Sequence, residues 1–137
     1  MKKILLAIIC LIVSVGCIPT NTLAAESGIT PYYNNTMNTL TDFYISENGV
    51  ATVHISFNGY GGETTGATIN TKIEKRFLLV FWSDVASWTD EVSGYYYTNE
   101  HSINVKKGTY RATVEYTIRG TGGEPDVIVD ELEYTYK

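Results

Sequence analysis

From Thr41 onward the chain is written largely in period two. VATVHISF places Ala51, Val53, Ile55 and Phe57 on one side and Thr52, His54 and Ser56 on the other, which predicts a half-buried antiparallel strand. Thr41, Phe43 and Ile45 alternate ahead of it, and Glu47-Asn48-Gly49 between them marks a hairpin, because Asn-Gly tolerates the positive φ of a tight turn. Ala67, Ile69, Thr71 and Ile73 are in phase against Thr68, Asn70 and Lys72. The longest alternation sets Tyr110, Ala112, Val114, Tyr116 and Ile118 against Arg111, Thr113, Glu115 and Thr117. Phe77 to Trp82, FLLVFW, does not alternate and reads as a central strand covered on both faces, or one whose outer face meets another segment. Trp82, Val85 and Trp88 recur every third residue, too briefly to prefer a helical turn over a bent strand end.

Between these runs, NGYGGETTG, TDEVSG and RGTGGEPD read as loops, GYYYT and HSINV as two short strands, and VIVDELEYTY as the last strand. Seven or eight short strands without a convincing helix predict an all-β, two-sheet antiparallel β-sandwich of immunoglobulin-like type. A jelly roll or small barrel is the alternative.

The first residues follow other rules. Lys2 and Lys3 precede the apolar run ILLAIICLIVSVGCI, and small residues follow near Ala24 and Ala25. A run of about 15 residues is too short to span a bilayer as a permanent helix, so residues 1–25 are expected to be a cleaved secretory signal. Residues 26–39 then form an N-terminal lead-in and residues 40–137 the sandwich. A competing localisation anchors the chain as a lipoprotein at Cys17, but Ser14 stands where that pattern wants a leucine-like residue. Cys10 and Cys17 both lie inside the signal, so the exported domain would be disulfide-free, with no cysteine nucleophile and no thiolate metal site.

Without Lys2 and Lys3 the chain keeps 8 basic and 15 acidic residues. That balance disfavours nucleic acid as a partner and an anionic membrane surface after signal cleavage.

Candidate chemistry is sparse. His54 and His101 are the only histidines; neither has a serine or carboxylate at motif spacing, and both read as surface polar residues, so no catalytic residue is assigned. Glu124 and Asp126, beside the flexible GGEPD backbone, are weak calcium candidates whose spacing matches no EF-hand loop. No cofactor is expected. Gly59, Gly61 and Gly62 are followed by neither a Gly-Lys-Thr nor a helix and read as turn chemistry. The 11 tyrosines are the most suggestive feature, since a flat ring with a polar edge suits glycan and protein surfaces. Tyr60, Tyr95, Tyr96 and Tyr97 are the candidate ligand-binding residues, with Tyr96 on the opposite strand face from its two neighbours.

KKGTYRATVEYTI, Lys106 to Ile118, resembles the corner of immunoglobulin and fibronectin type III domains, where Gly-x-Tyr precedes an alternating core strand. On that resemblance Tyr110 is a corner tyrosine. The chain departs from immunoglobulin domains at Ala112, where they place a cysteine, and at Lys106, where many carry an aspartate. A wider set of features runs from Ile29-Thr30-Pro31-x-Tyr33 through Gly49, Glu74-Lys75 and Trp82-x-x-Val85-x-x-Trp88 to Lys107-Gly-Thr-Tyr-Arg111 and the Gly-rich last hairpin. Together they resemble an uncharacterised family of small secreted proteins of clostridia and other Gram-positive bacteria. The resemblance implies a secreted sandwich and supplies no activity; Tyr110, Trp82 and Trp88 are expected to be structural.

The expected function is a secreted, non-enzymatic module binding a cell-wall or host glycan, or a protein. An exported antimicrobial or toxin-like effector or inhibitor is the alternative, and a hydrolase ranks last.

Overall fold

The computed structural model describes residues 33–137. The signal segment, Cys10, Cys17 and Ile29-Thr30-Pro31 lie outside the described residues. Seven strands follow: β1 Thr36–Ile45, β2 Val50–Gly59, β3 Thr64–Phe77, β4 Phe81–Ser93, β5 Tyr96–Asn104, β6 Gly108–Gly120 and β7 Asp126–Tyr136. They form two antiparallel sheets, ordered β1-β2-β5 and β4-β3-β6-β7. The fold is an all-β two-sheet sandwich, and β1 already begins inside the stretch read as lead-in.

The alternating positions build the core. Ala51, Val53, Ile55 and Phe57 of β2 face Ala67, Ile69 and Ile73 of β3 and the inward row of β6, Tyr110 to Ile118, and all are buried. Inward positions are apolar because two stacked sheets leave about 10 Å between them, room for side chains and not for water.

The corner tyrosine is present. Tyr110 is 2% exposed and its Oη donates to the Lys106 carbonyl at 2.6 Å, tying the start of β6 to the preceding turn. Tyr110→Phe is expected to lower unfolding free energy by about 1 kcal/mol, the net worth of one buried hydrogen bond. Urea denaturation measures it, and an unchanged midpoint would mean the corner contributes nothing to stability.

Two local expectations are overturned. FLLVFW is not a covered central strand: β3 ends at Phe77, residues 78–80 form the turn, and β4 starts at Phe81. All five residues from Phe77 to Phe81 are exposed. An apolar run without Gly, Asn or Pro carries no turn signal, so composition alone could not locate this hairpin. TDEVSG is not a loop either, because β4 continues to Ser93. Its alternation is concealed by Asp90, an ionisable residue holding an inward position between Trp88 and Val92. GYYYT and HSINV join into the single strand β5.

Trp88 packs against the core. Trp82 sits instead on the outer face, its ring 4.4 Å from the Arg111 guanidinium and 4.8 Å from that of Arg76. There Glu74 accepts Arg111 at 2.7 Å and pairs with Lys72 at 2.9 Å. Burial pushes the Glu74 carboxyl up, but the Lys72 and Arg111 bonds outweigh it and hold it below its ordinary value.

Candidate functional site

Strand directions divide the sandwich into two ends. One carries the β2–β3, β4–β5 and β6–β7 connections, and with them three of the four candidate tyrosines. Tyr60 opens the β2–β3 turn, whose Thr64 and Glu63 amides both donate to the Tyr60 carbonyl. Tyr95 lies beside it, since its carbonyl accepts the Gly59 amide at 2.6 Å. Tyr96 pairs with Asn58 in the register of β2 and β5. All three rings are exposed, Tyr96 by 60%.

A polar knot beneath this end holds the loops. Asn35 and Thr36, both buried, bring their N–H and O–H groups to one carboxylate. Asp126 accepts the Asn34 amide at 3.0 Å, the Asn35 amide at 2.7 Å and the Thr36 hydroxyl at 2.9 Å. The Asn35 side chain donates to the Glu124 carbonyl at 3.0 Å and accepts the Gly122 amide at 3.2 Å, while Thr64 Oγ1 donates to the Asn35 carbonyl and accepts the Tyr60 amide. Segments about 90 residues apart in sequence are thereby tied to each other and to the backbone of Tyr60. Asp126 is thus occupied by protein donors, and the Glu124 side chain points to solvent. Among the described residues no three His, Asp or Glu side chains gather as a metal site.

Tyr97 parts from its neighbours. It faces the seam between the edge strands β4 and β5, where its hydroxyl donates to Asp90 Oδ1 at 2.9 Å. Asn99 donates to the same oxygen at 3.1 Å, and His101 Nε2 lies 2.6 Å from Oδ2. The Trp88 ring stacks on His101, 4.9 Å between centroids and 8° from parallel. His101 is therefore not the surface residue the sequence suggested: its side chain is 13% exposed, because the inward phase of β5 runs Tyr97, Asn99, His101, Ile103. His54 does lie on the outer face, beside Glu100.

Sequence reasoning missed the seam cluster because its members come from two strands and only the sandwich brings them together. The available signal was the phase of Asp90 with Trp88 and Val92. Burial raises the Asp90 carboxyl, but hydrogen bonds from His101, Tyr97 and Asn99 outweigh it and leave it below its ordinary value; burial and Asp90 push the Tyr97 hydroxyl up. Its donors and acceptors point at one another, and among the described residues the partners of the His101–Asp90 pair are Tyr97 and Asn99. Such a cluster closes a seam.

A concavity of about 460 Å³ lies at the opposite end, lined by Ile45, Glu47, Lys107, Tyr134 and Tyr136 among others. It contains none of the candidate residues; Ser46, Thr135 and Lys137 complete its lining.

Fold and site together define an immunoglobulin-like β-sandwich with a tyrosine-bearing loop end. No family model matches the chain, and no curated protein matches it. Among solved structures it is similar to catalytically inactive OgpA from Akkermansia muciniphila in complex with an O-glycopeptide substrate, at 10% identity and a TM-score of 0.45. The match covers 80% of this chain and 32% of that one, so the chain spans about a third of that protein's length.

Proposed function

We propose that the protein is a secreted, non-enzymatic binding module that engages a cell-wall or host glycan, or a protein surface, through its tyrosine-bearing end. The supporting observation is that Tyr60, Tyr95 and Tyr96 are exposed at one end, the Tyr60 backbone tied through Thr64 to the Asn35–Asp126 knot and the Tyr95 carbonyl held by the Gly59 amide. Rigid aromatic rings flanked by glycine-rich turns offer contact area and hydrogen bonding at low entropic cost. Tyr97, held by Asp90, supports the platform from inside and does not belong to it.

Retention of the protein on purified Gram-positive cell walls, insoluble polysaccharides and mucin tests this reading. Tyr60→Ala and Tyr96→Ala are each expected to reduce retention by roughly tenfold, an aromatic contact being worth on the order of 1.4 kcal/mol or more at an interface centre, with unchanged melting curves. Equal retention of both variants would remove the site, and clean flow-through on every matrix would direct the search to a protein ligand.

A further inference from the structure

The opposite end of the sandwich carries a feature that the tyrosine platform does not use. At the β3–β4 hairpin, Phe77, Leu78, Leu79, Val80 and Phe81 are all exposed, Leu79 by 86%. Leu78 and Leu79 have φ of 47° and 68°, in the left-handed region that costs an L-residue with a Cβ roughly 1–2 kcal/mol. The β1–β2 hairpin at the same end shows the unstrained solution, with Gly49 at φ 75°. Leucine at two such positions adds apolar surface where asparagine or glycine would fit more easily.

We propose that this hairpin tip inserts into the headgroup region of an anionic lipid bilayer. Shape favours lipid over a protein groove. A groove asks for one apolar face, whereas this tip is apolar on both strand faces and at its apex, which suits a medium that surrounds it. Within the turn the Val80 amide donates to the Leu78 carbonyl at 2.8 Å and Phe77 pairs with Phe81 across it; the hydrated headgroup region, unlike the hydrocarbon core, supplies partners for the remaining turn groups. From the Phe77–Phe81 pair to the apex at Leu79 is two residue steps, at most about 7 Å at the rise of a strand, within the depth of interfacial insertion and far short of a span. Directly behind the apolar residues comes Trp82, with the Arg76 and Arg111 guanidinium groups each over its ring, and Lys75 over the Tyr110 ring. An aromatic and cationic belt of this kind sits at headgroup level.

Charge points the same way. Lys72, Lys75 and Arg76 of β3, Lys106 and Lys107 of the β5–β6 turn, and Arg111 of β6 all lie in the half toward the tip. Among the strand residues Arg119 alone is basic in the other half, which holds Glu63, Asp90, Glu91, Glu124 and Asp126. Glu74, Asp84, Glu131 and Glu133 in the tip half pair with Lys72, Arg76 and Arg111, and Asp42 and Glu47 lie there too. That half is therefore close to neutral, while the acidic excess lies in the other. Lys75, Lys106 and Lys107, outside those pairs, are the cations that would meet anionic headgroups.

The test uses the chain from Glu26 onward, which carries all seven strands and the described core, so that the apolar N-terminal run cannot bind in place of the tip; its melting curve confirms folding. Flotation with phosphatidylcholine vesicles containing phosphatidylglycerol is expected to carry the protein, more weakly with phosphatidylcholine alone or at high salt. In a Trp88→Phe background, Trp82 emission should shift to the blue and be quenched by brominated acyl chains. The double variant Leu78→Asn, Leu79→Gly should melt at the same or a higher temperature while its vesicle retention falls by roughly tenfold or more. Wild-type protein left in the soluble fraction with both vesicle types would overturn the proposal. So would equal flotation of the double variant, or a dimer that the double variant dissolves while flotation is unaffected. None of these outcomes bears on glycan retention through Tyr60 and Tyr96, so the two readings fail separately.

Discussion

Asp126→Ala is expected to lower unfolding free energy by about 3 kcal/mol, because three donors lose one shared anionic acceptor and two of them are buried. The Asn35 amide and the Thr36 hydroxyl have no water to turn to, and each unsatisfied buried donor costs about 1–3 kcal/mol. Asp126→Asn keeps one acceptor oxygen and should lose about half as much. Urea denaturation of the three proteins measures the series, and hydrogen exchange at Asn34, Asn35 and Gly122 locates it. A loss below about 0.5 kcal/mol, the range of an ordinary surface substitution, would mean that the knot is not what holds the N-terminal strand against β7.

The consequence for function is direct. The same knot carries the backbone of Tyr60 through Thr64, so Asp126→Ala should also weaken ligand retention although Asp126 touches no ligand. The tip hairpin, at the other end, should keep its vesicle binding.

Asp90→Ala is expected to cost about 2–3 kcal/mol at neutral pH, since Tyr97, Asn99 and His101 lose their common acceptor in a mostly buried seam. Its pH dependence has a definite sign. The folded Asp90 carboxyl lies below its ordinary value of 3.8, so the native state holds it ionised more firmly than the unfolded chain does. That contribution is fully present above the unfolded pKa and is lost as pH falls through the folded one. Wild type and Asp90→Ala should therefore differ most near neutrality and converge below about pH 3.8. Urea midpoints across that range measure it, and a gap that widens in acid would contradict the seam geometry.

Placing polar residues where two edge strands meet also has an architectural use. β4 and β5 are the edges of different sheets, and edge strands present unpaired backbone to other chains. Asp90 binds Tyr97, Asn99 and His101 across that boundary, closing a side that an apolar contact alone would leave free to slide. The other side is closed by Thr41, which donates to Asp130 at 2.7 Å and meets the Tyr116 hydroxyl at 2.7 Å. Burial pushes that hydroxyl up to about 12. Each side of the sandwich is thus closed by a carboxylate that accepts hydroxyl donors.

Where one residue type could have one meaning only, the sequence was legible. Period two in β2, β3 and β6 specified which residues face inward, because a half-buried strand must alternate and a one-residue slip would expose every core side chain. Asn48-Gly49 located a hairpin by the backbone conformation it allows, and Gly108-x-Tyr110 located the corner by its hydrogen bond. Tyr60 and Tyr95 were singled out individually, but their adjacency depends on the pairing of β2 with β5.

Local pattern was insufficient wherever the meaning of a side chain depends on a partner from another strand. Asp90 and His101 look like ordinary polar residues until the seam brings them to 2.6 Å. Asp126 looks like a loop carboxylate until residues 34–36 arrive with three donors. FLLVFW has the composition of a core strand and stands fully outside it, because hydrophobicity states what a residue avoids and not what covers it. The sequence by itself determined the strand faces and the sandwich class through alternation, which is a property of each strand alone. Tertiary structure decided the knot, the seam and the bare tip, because each depends on which distant segments the two sheets bring within hydrogen-bonding reach, or leave with nothing to pack against.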